Sequence, residues 1–226
     1  MNILAVDCAV SRLCVGLRYD DKMISQTLDI GMRQSEMLLP VIDELFKRAG
    51  ISPADLDATA MTIGPGSFTG LRLGISALKA IQLAHNVPVY AVSSLECYAH
   101  PFSDCGLPVL SGIDANKGKF YASITESGKI ILDEDDHDTQ KIAEAVRPLE
   151  KVIVAGPDAS ALRDAIAALC PDTALITMSA HFDTAETLAE ICVRMIGQKK
   201  EPLKDFDGPS YLRASEAELK RSGIIA

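Results

Sequence analysis

Apolar and polar positions change period repeatedly along the chain, and each change marks an element. Residues 3–6 form an apolar run, and Leu13, Val15 and Leu17 alternate with Cys14, Gly16 and Arg18 at the two-residue period of a strand. Asp20 and Asp21 supply a hairpin turn into a third strand over 22–28. From Met37 the spacing becomes helical. Met37, Leu38, Val41, Ile42, Leu45 and Phe46 share one broad face, and Gly50 is the stop signal. Pro40 is expected near the start of this helix, where a missing N–H is tolerated. A strand over 58–63, a glycine-rich turn, a helix over 71–85 and a strand over 87–92 follow, and Ser93-Ser94 opens a short helix as a cap. The order is β-β-β-α-β-α-β.

The second half repeats that order. Strands are expected over 109–113, 120–124 and 129–132, with turns at Asn116-Lys117-Gly118 and Ser127-Gly128. A helix over 140–147, a strand over 152–155, a helix over 159–169, a strand over 174–178 and a helix over 184–196 complete it. Val6-Asp7 and Ile113-Asp114 stand 107 positions apart. At the same offset Arg12 meets Lys119, Leu13 meets Phe120, Leu17 meets Ile124, Lys22 meets Lys129 and Ile24 meets Ile131. A strand-end aspartate before a hairpin, found twice in register, implies a duplicated fold.

Tandem copies of this unit resemble the actin-like ATPase superfamily. The expected fold class is α/β, a duplicated actin-like (ASKHA, RNase H-like) fold of two lobes, each β-β-β-α-β-α-β. The first lobe is expected over 1–102, with the tail 209–226 packing back onto it, and the second over 103–208. The junctions fall in Pro-, Gly- and polar-rich stretches near 100–107 and 199–208. The tail carries a short helix over 216–221, capped by Ser215.

Composition narrows the function classes. Of 226 residues, 48% are apolar and 23% charged, the balance of a folded globular chain. The net charge of −9 disfavours direct nucleic-acid binding, because phosphate affinity comes from Lys and Arg releasing counterions. The basic pairs are dispersed and form no basic stripe, so any nucleic acid is expected to be held through a partner. There is no run of about 18 uncharged apolar residues, and the N-terminus puts Asp7 where a signal peptide needs apolar length, so a cytoplasmic protein with no membrane contact is expected. The six cysteines form no CxxC pair and the four histidines neither HxxxH nor HExxH, so no metal is expected and the thiols read as reduced, mostly buried small residues.

The most unusual segment is Gly64-Pro65-Gly66-Ser67-Phe68-Thr69-Gly70-Leu71-Arg72-Leu73-Gly74. It follows a strand and opens a helix, where backbone N–H groups can receive an anion. It is not a P-loop, since no Gly-Lys-Ser/Thr follows, nor GxGxxG, since three residues separate Gly66 from Gly70. A nucleophile elbow is excluded because Pro65 and Thr69 hold its glycine positions. Two readings stay open: a tight turn needing positive φ with Ser67 or Thr69 as cap, or a nucleotide or anion contact.

Gly64 to Gly74 resembles the GPGSFTGLRxG hallmark of the bacterial TsaB (YeaZ) family. Further matches run through the chain in that family's order: residues 3–7 as the opening strand, Arg33 to Pro40 as RxHSExLLP, Val92 to Glu96 as VSSLE, Ile113-Asp114-Ala115 with Phe120-Tyr121 as IDAR…VY, and Pro209 to Arg213 as PxYLR. Gln34 stands at the family's histidine, and Cys8-Ala9 replaces its Thr-Ser. The resemblance implies a non-catalytic supporting subunit for threonylcarbamoyl transfer to adenosine 37 of tRNAs reading codons that begin with A. It implies a heterodimer with the TsaD transferase, association with the TsaE ATPase, a functional link to TsaC or its larger relative, and a homodimer when alone. It implies no cofactor bound tightly by this chain alone, with ATP or ADP at an interface shared in the complex.

Actin-like ATPases hold Mg-ATP between two loops, each an Asp followed by Gly and Ser/Thr. Here Asp7-Cys8-Ala9 and Asp114-Ala115-Asn116 keep the acids and lack the glycines, so Asp7 and Asp114 are expected to mark degenerate phosphate loops with no catalytic residue. The family's dimer-forming helices correspond to Met37, Leu38, Val41, Ile42 and Leu45 and to Arg72, Gly74, Ile75, Leu78, Lys79 and Gln82, whose apolar content exceeds what one sheet requires. The alternatives are an actin-like small-molecule kinase or ATPase and a peptidase, the latter poorly supported because no Ser or Cys stands near a His and an acid in recognisable context.

Overall fold

The computed structural model describes residues 1–178 and 183–212. Its first sheet comprises β1 (Ile3–Asp7), β2 (Arg12–Tyr19), β3 (Lys22–Asp29), β4 (Ala58–Gly64) and β5 (Val89–Ser93), in the order β3-β2-β1-β4-β5. The second comprises β6 (Val109–Asp114), β7 (Lys119–Glu126), β8 (Lys129–Asp138), β9 (Lys151–Ala155) and β10 (Ala174–Thr177), in the order β10-β9-β6-β7-β8. Counted from the central strand the two orders are the same. The pairs predicted by the 107-residue offset open equivalent strands: Arg12 and Lys119 begin β2 and β7, and Lys22 and Lys129 begin β3 and β8. The duplicated α/β fold expected from the alternation is therefore present.

The hairpin turns follow from residues that tolerate positive φ. Asp20 and Asp21 adopt φ 45° and 59°, and Ser127-Gly128 adopts 48° and 80°, matching the right-handed twist of the flanking strands. β8 runs six residues beyond the expected end, through a stretch rich in Asp. Acidic residues disfavour strands, but β8 is a sheet edge, where alternate side chains face solvent. His137 points inward instead, its Nε2 lying 2.8 Å from the Asp133 carbonyl.

Helices cover both faces of the first sheet. α1 (Gln34–Ala49) and α2 (Phe68–His85) lie on one face, packing Leu38, Val41, Leu45, Ile75 and Leu78 against Leu4, Val6, Val15 and Met61. α1 starts three residues before the expected Met37, so Pro40 sits inside it rather than at its start. Gly50 ends it with φ 70° and donates to the Phe46 carbonyl at 2.9 Å. α2 starts at Phe68 rather than Leu71 because Ser67 caps it, its Oγ accepting from the Gly70 N–H. α3 (Ser94–Ala99) has Ser93 as its cap, accepting from Leu95 and Glu96. In the second half, α4 (Thr139–Val146) and α5 (Ala159–Ala167) cover one face of their sheet through Ile142, Val146, Leu162 and Ile166.

α6 (Thr184–Gly197) departs from the expected lobe boundaries. The sequence places it in the second lobe, yet Leu188, Ile191 and Cys192 pack on Ile3, Ala5, Ala58 and Ala60 of the first sheet. Every residue of β1 is buried, so the face opposite α1 and α2 needs a cover, and α6 supplies it. Asp183 docks its start, accepting from Cys14 Sγ at 3.0 Å, from the Ser25 hydroxyl and from the Ala185 N–H. Residues 213–226, including the short helix expected over 216–221, lie outside the described residues. No helix among the described residues is long and apolar enough to cross a membrane.

Leu78 is completely buried and Leu83, on the same helix, is 90% exposed. Leu78→Ala is therefore expected to lower unfolding stability by about 2–5 kcal/mol, and Leu83→Ala to stay within about 0.5 kcal/mol of wild type, read from urea midpoints.

Candidate functional site

The hallmark segment and the loop after β1 form one packed unit. Gly64 (φ 127°) turns the chain out of β4. Gly66 and Gly70 serve close approach: a Cβ at Gly66 would stand 2.3 Å from the Ala9 carbonyl oxygen, and one at Gly70 would stand 2.0 Å from that of Cys8. The Ser67 N–H donates to the Ala9 carbonyl at 2.7 Å. Gln34, at the family's histidine position, is buried and donates from Nε2 to the Val10 carbonyl, closing the same loop from the α1 side. Of the hallmark residues, Phe68, Thr69 and Gly70 form the first turn of α2 rather than a loop.

Asp7 is the centre of that unit. Its Oδ1 accepts from the Ala9 N–H at 2.9 Å and from the Thr62 hydroxyl at 2.7 Å, and its side chain is buried. Asp114 makes the same turn in the second half, with Oδ1 accepting from the Asn116 N–H at 2.7 Å. The two acids thus share a geometry and differ in exposure, Asp114 being open to solvent. Burial pushes the Asp7 carboxyl above its ordinary range, against the opposing pull of its hydrogen bonds with Ala9, Thr62 and Thr184.

The sequence singled out Asp7 and Asp114 but missed Thr62, which reads as an ordinary strand residue. It also missed Asp158, whose Oδ2 accepts from the Asp114 N–H at 2.9 Å. Tyr211 stood in the C-terminal motif with no assigned contact. Its ring stacks on Phe68 at 4.1 Å between centroids and 13° between planes, and its hydroxyl accepts from Arg72 Nε at 2.9 Å. Arg72 lies 5.6 Å from the centroids of both rings.

Between the two sheets lies a cleft of about 890 Å³. Its walls include Arg12, Gln34, Gly66 and Thr69 on one side and Asp114, Asn116, Tyr121 and Asp158 on the other. The side chains of Cys8 and Asp7 are buried, and Asp7 lines a separate small cavity with Val10, Arg12, Tyr98 and Thr184. No three His, Cys, Asp or Glu side chains converge as a metal site among the described residues.

The helix positions assigned to a partner interface divide sharply. Leu38, Val41, Ile42, Leu45, Gly74, Ile75 and Leu78 are buried within this chain, so their side chains are already occupied. Met37, Lys79 and Gln82 are half-buried and Arg72 is exposed beside Tyr211. Helical spacing identified apolar residues, and the sheet beneath claims most of them. Among the described residues of α1, α2 and the turn before α1, the large apolar side chains that face outward are Met32, Leu39 and Leu83.

Five of the six cysteines are buried, and burial pushes the Cys14 and Cys192 thiols up to about 12 and the Cys97 thiol well above its ordinary value. A thiol reagent should therefore label one group in the native protein, and Cys105→Ser should abolish that signal, with all six appearing in denaturant.

Asp7 gives a pH test. A carboxyl whose pKa is raised on folding contributes stability that is present below its unfolded pKa and is lost as pH rises through its folded pKa. Asn accepts the same two hydrogen bonds without a charge. The stability of Asp7→Asn relative to wild type, measured by urea unfolding, should therefore be greater at pH 7.5 than at pH 4, about the unfolded carboxyl pKa. A difference constant with pH would refute the assignment.

A family model described as TsaD, tRNA N6-adenosine threonylcarbamoyltransferase, matches residues 31–220. Over 97% of both chains the sequence is 28% identical to the tRNA threonylcarbamoyladenosine biosynthesis protein TsaB of Bacillus subtilis. The protein of the same name from Escherichia coli is 32% identical over 54% of this chain and 53% of its own. Among solved structures, YeaZ from Pseudomonas aeruginosa matches with a TM-score of 0.77 at 23% identity, covering 93% of this chain and 99% of that one.

Proposed function

The chain belongs to the tRNA N6-adenosine threonylcarbamoyltransferase family, in its TsaB (YeaZ) branch, and from that premise we propose that it is a supporting subunit in tRNA threonylcarbamoyladenosine synthesis rather than the transferase. It acts in the cytoplasm through a heterodimer with TsaD. TsaE joins that complex, and TsaC or its larger relative supplies the activated group. Any ATP or ADP sits at the shared interface, and the chain pairs with itself when alone.

One observation carries the non-catalytic part of this reading. The acid that would serve a phosphate loop is buried and accepts from the Ala9 N–H and the Thr62 hydroxyl, while glycines bring α2 hard against the Cys8 and Ala9 carbonyls. A phosphate needs the backbone amides that this turn consumes. The outward apolar side chains of Met32, Leu39 and Leu83 support a protein partner beside α1 and α2. The net charge of −9 favours tRNA held by the partner.

A second reading, an actin-like small-molecule kinase, is favoured by one feature: a cleft of about 890 Å³ is large enough for a nucleotide. Magnesium-dependent nucleotide binding by the isolated chain discriminates it. Burial raises the Cys14, Cys97 and Cys192 thiols, which argues against a thiol peptidase at those residues.

The test is transfer of labelled threonylcarbamoyl to unmodified tRNA by the other three components, with and without this chain. Product is expected to require the chain, while the chain alone gives neither transfer nor ATP hydrolysis. Equal product without it would overturn the proposal.

A further inference from the structure

The segment that follows α6 returns to α2 and runs along it. The Leu203 N–H donates to the Val89 carbonyl at 2.7 Å, at the start of β5. Lys79 Nζ reaches the Lys204 carbonyl, and a turn closed by Lys204 N–H on Asp207 Oδ2 at 2.8 Å follows. The Ser210 N–H then donates to the Ile63 carbonyl at 2.9 Å, and Tyr211 stacks on Phe68 and accepts from Arg72. Phe68, Arg72 and Lys79 are four and seven residues apart, a spacing that puts them on one stripe of the helix. The direction is antiparallel: the chain meets the middle of α2 first and its first turn last.

We propose that residues 203–211 are a strap whose Tyr211 end holds the first turn of α2 closed against the Asp7 loop, so that its release opens one wall of the cleft without unfolding the sheet. Three features point to a separable device. Gly64 leaves the strap its place: a Cβ there would stand 2.3 Å from the Ser210 carbonyl oxygen. The middle of the strap, over 205–208, is exposed, with Phe206 wholly in solvent, so its hold rests on the contacts at 203–204 and at 210–211. Segments with few buried contacts open locally at far lower free energy than the core. The stack meanwhile grips Phe68, next to the Ser67 N–H that donates to Ala9, so the strap and the Asp7 loop share one short turn. The inference does not depend on the role proposed for the protein in tRNA modification.

Hydrogen–deuterium exchange on the full chain tests it. In Tyr211→Ala the amides of residues 64–72 should exchange roughly three- to tenfold faster, the range expected for losing one aromatic pair, with the second sheet unchanged. Tyr211→Phe keeps the ring and should recover most of the protection. Arg72→Gln, an exposed change that loses the contact with the Tyr211 hydroxyl, should show a smaller rise over the same residues and decides the matter if the alanine variant does not fold. Unchanged exchange over 64–72 in the folded variants would overturn the proposal. So would an equal rise throughout both sheets.

Discussion

The architecture around the cleft depends on one buried carboxylate. Asp7 closes the chain after β1 onto itself through Ala9 and reaches across to Thr62 on β4. That turn aims the Ala9 carbonyl at the Ser67 N–H and sets where α2 begins. Removing the acceptor would leave a buried N–H and a buried hydroxyl unsatisfied, each a loss of about 1–3 kcal/mol. The charged form is itself disfavoured by burial, so the site balances desolvation against hydrogen bonds it cannot do without.

The second half carries the same turn under different constraints. Asp114 accepts from Asn116 as Asp7 does from Ala9, but the next helix start meets it through the Asp158 carboxylate, which accepts from its N–H, and leaves its side chain exposed. Gly156 allows only the close approach of β9's end to Gly112, where a Cβ would stand 2.4 Å from the carbonyl oxygen. One copy is therefore sealed and the other faces the cleft. The asymmetry extends to the helices, since α6 follows the second sheet in the chain and covers the first.

Much of this was legible in the sequence, and the failures have physical causes. Strands were readable because buried and exposed positions alternate, and the repeat because Asp7 and Asp114 hold one register. The start of α2 was misplaced because Gly70 looks like a turn residue, yet it lies in a helix, where its lack of a side chain admits the Cys8 carbonyl. The acidic end of β8 was missed because propensity assumes a half-buried sheet rather than an edge. Val41 and Leu78 were read as partner contacts because apolarity along one helix does not say what covers it. Tyr211 and Phe68 are separated by most of the chain, and only the fold brings their rings together.

The sealed turn at Asp7 also separates shape from chemistry. An acid that folding itself requires stays in place whatever the neighbouring loop binds, because its hydrogen bonds to Ala9 and Thr62 hold the turn. An acid at such a turn therefore speaks for the shape of the chain, and the atoms left free around it speak for its chemistry.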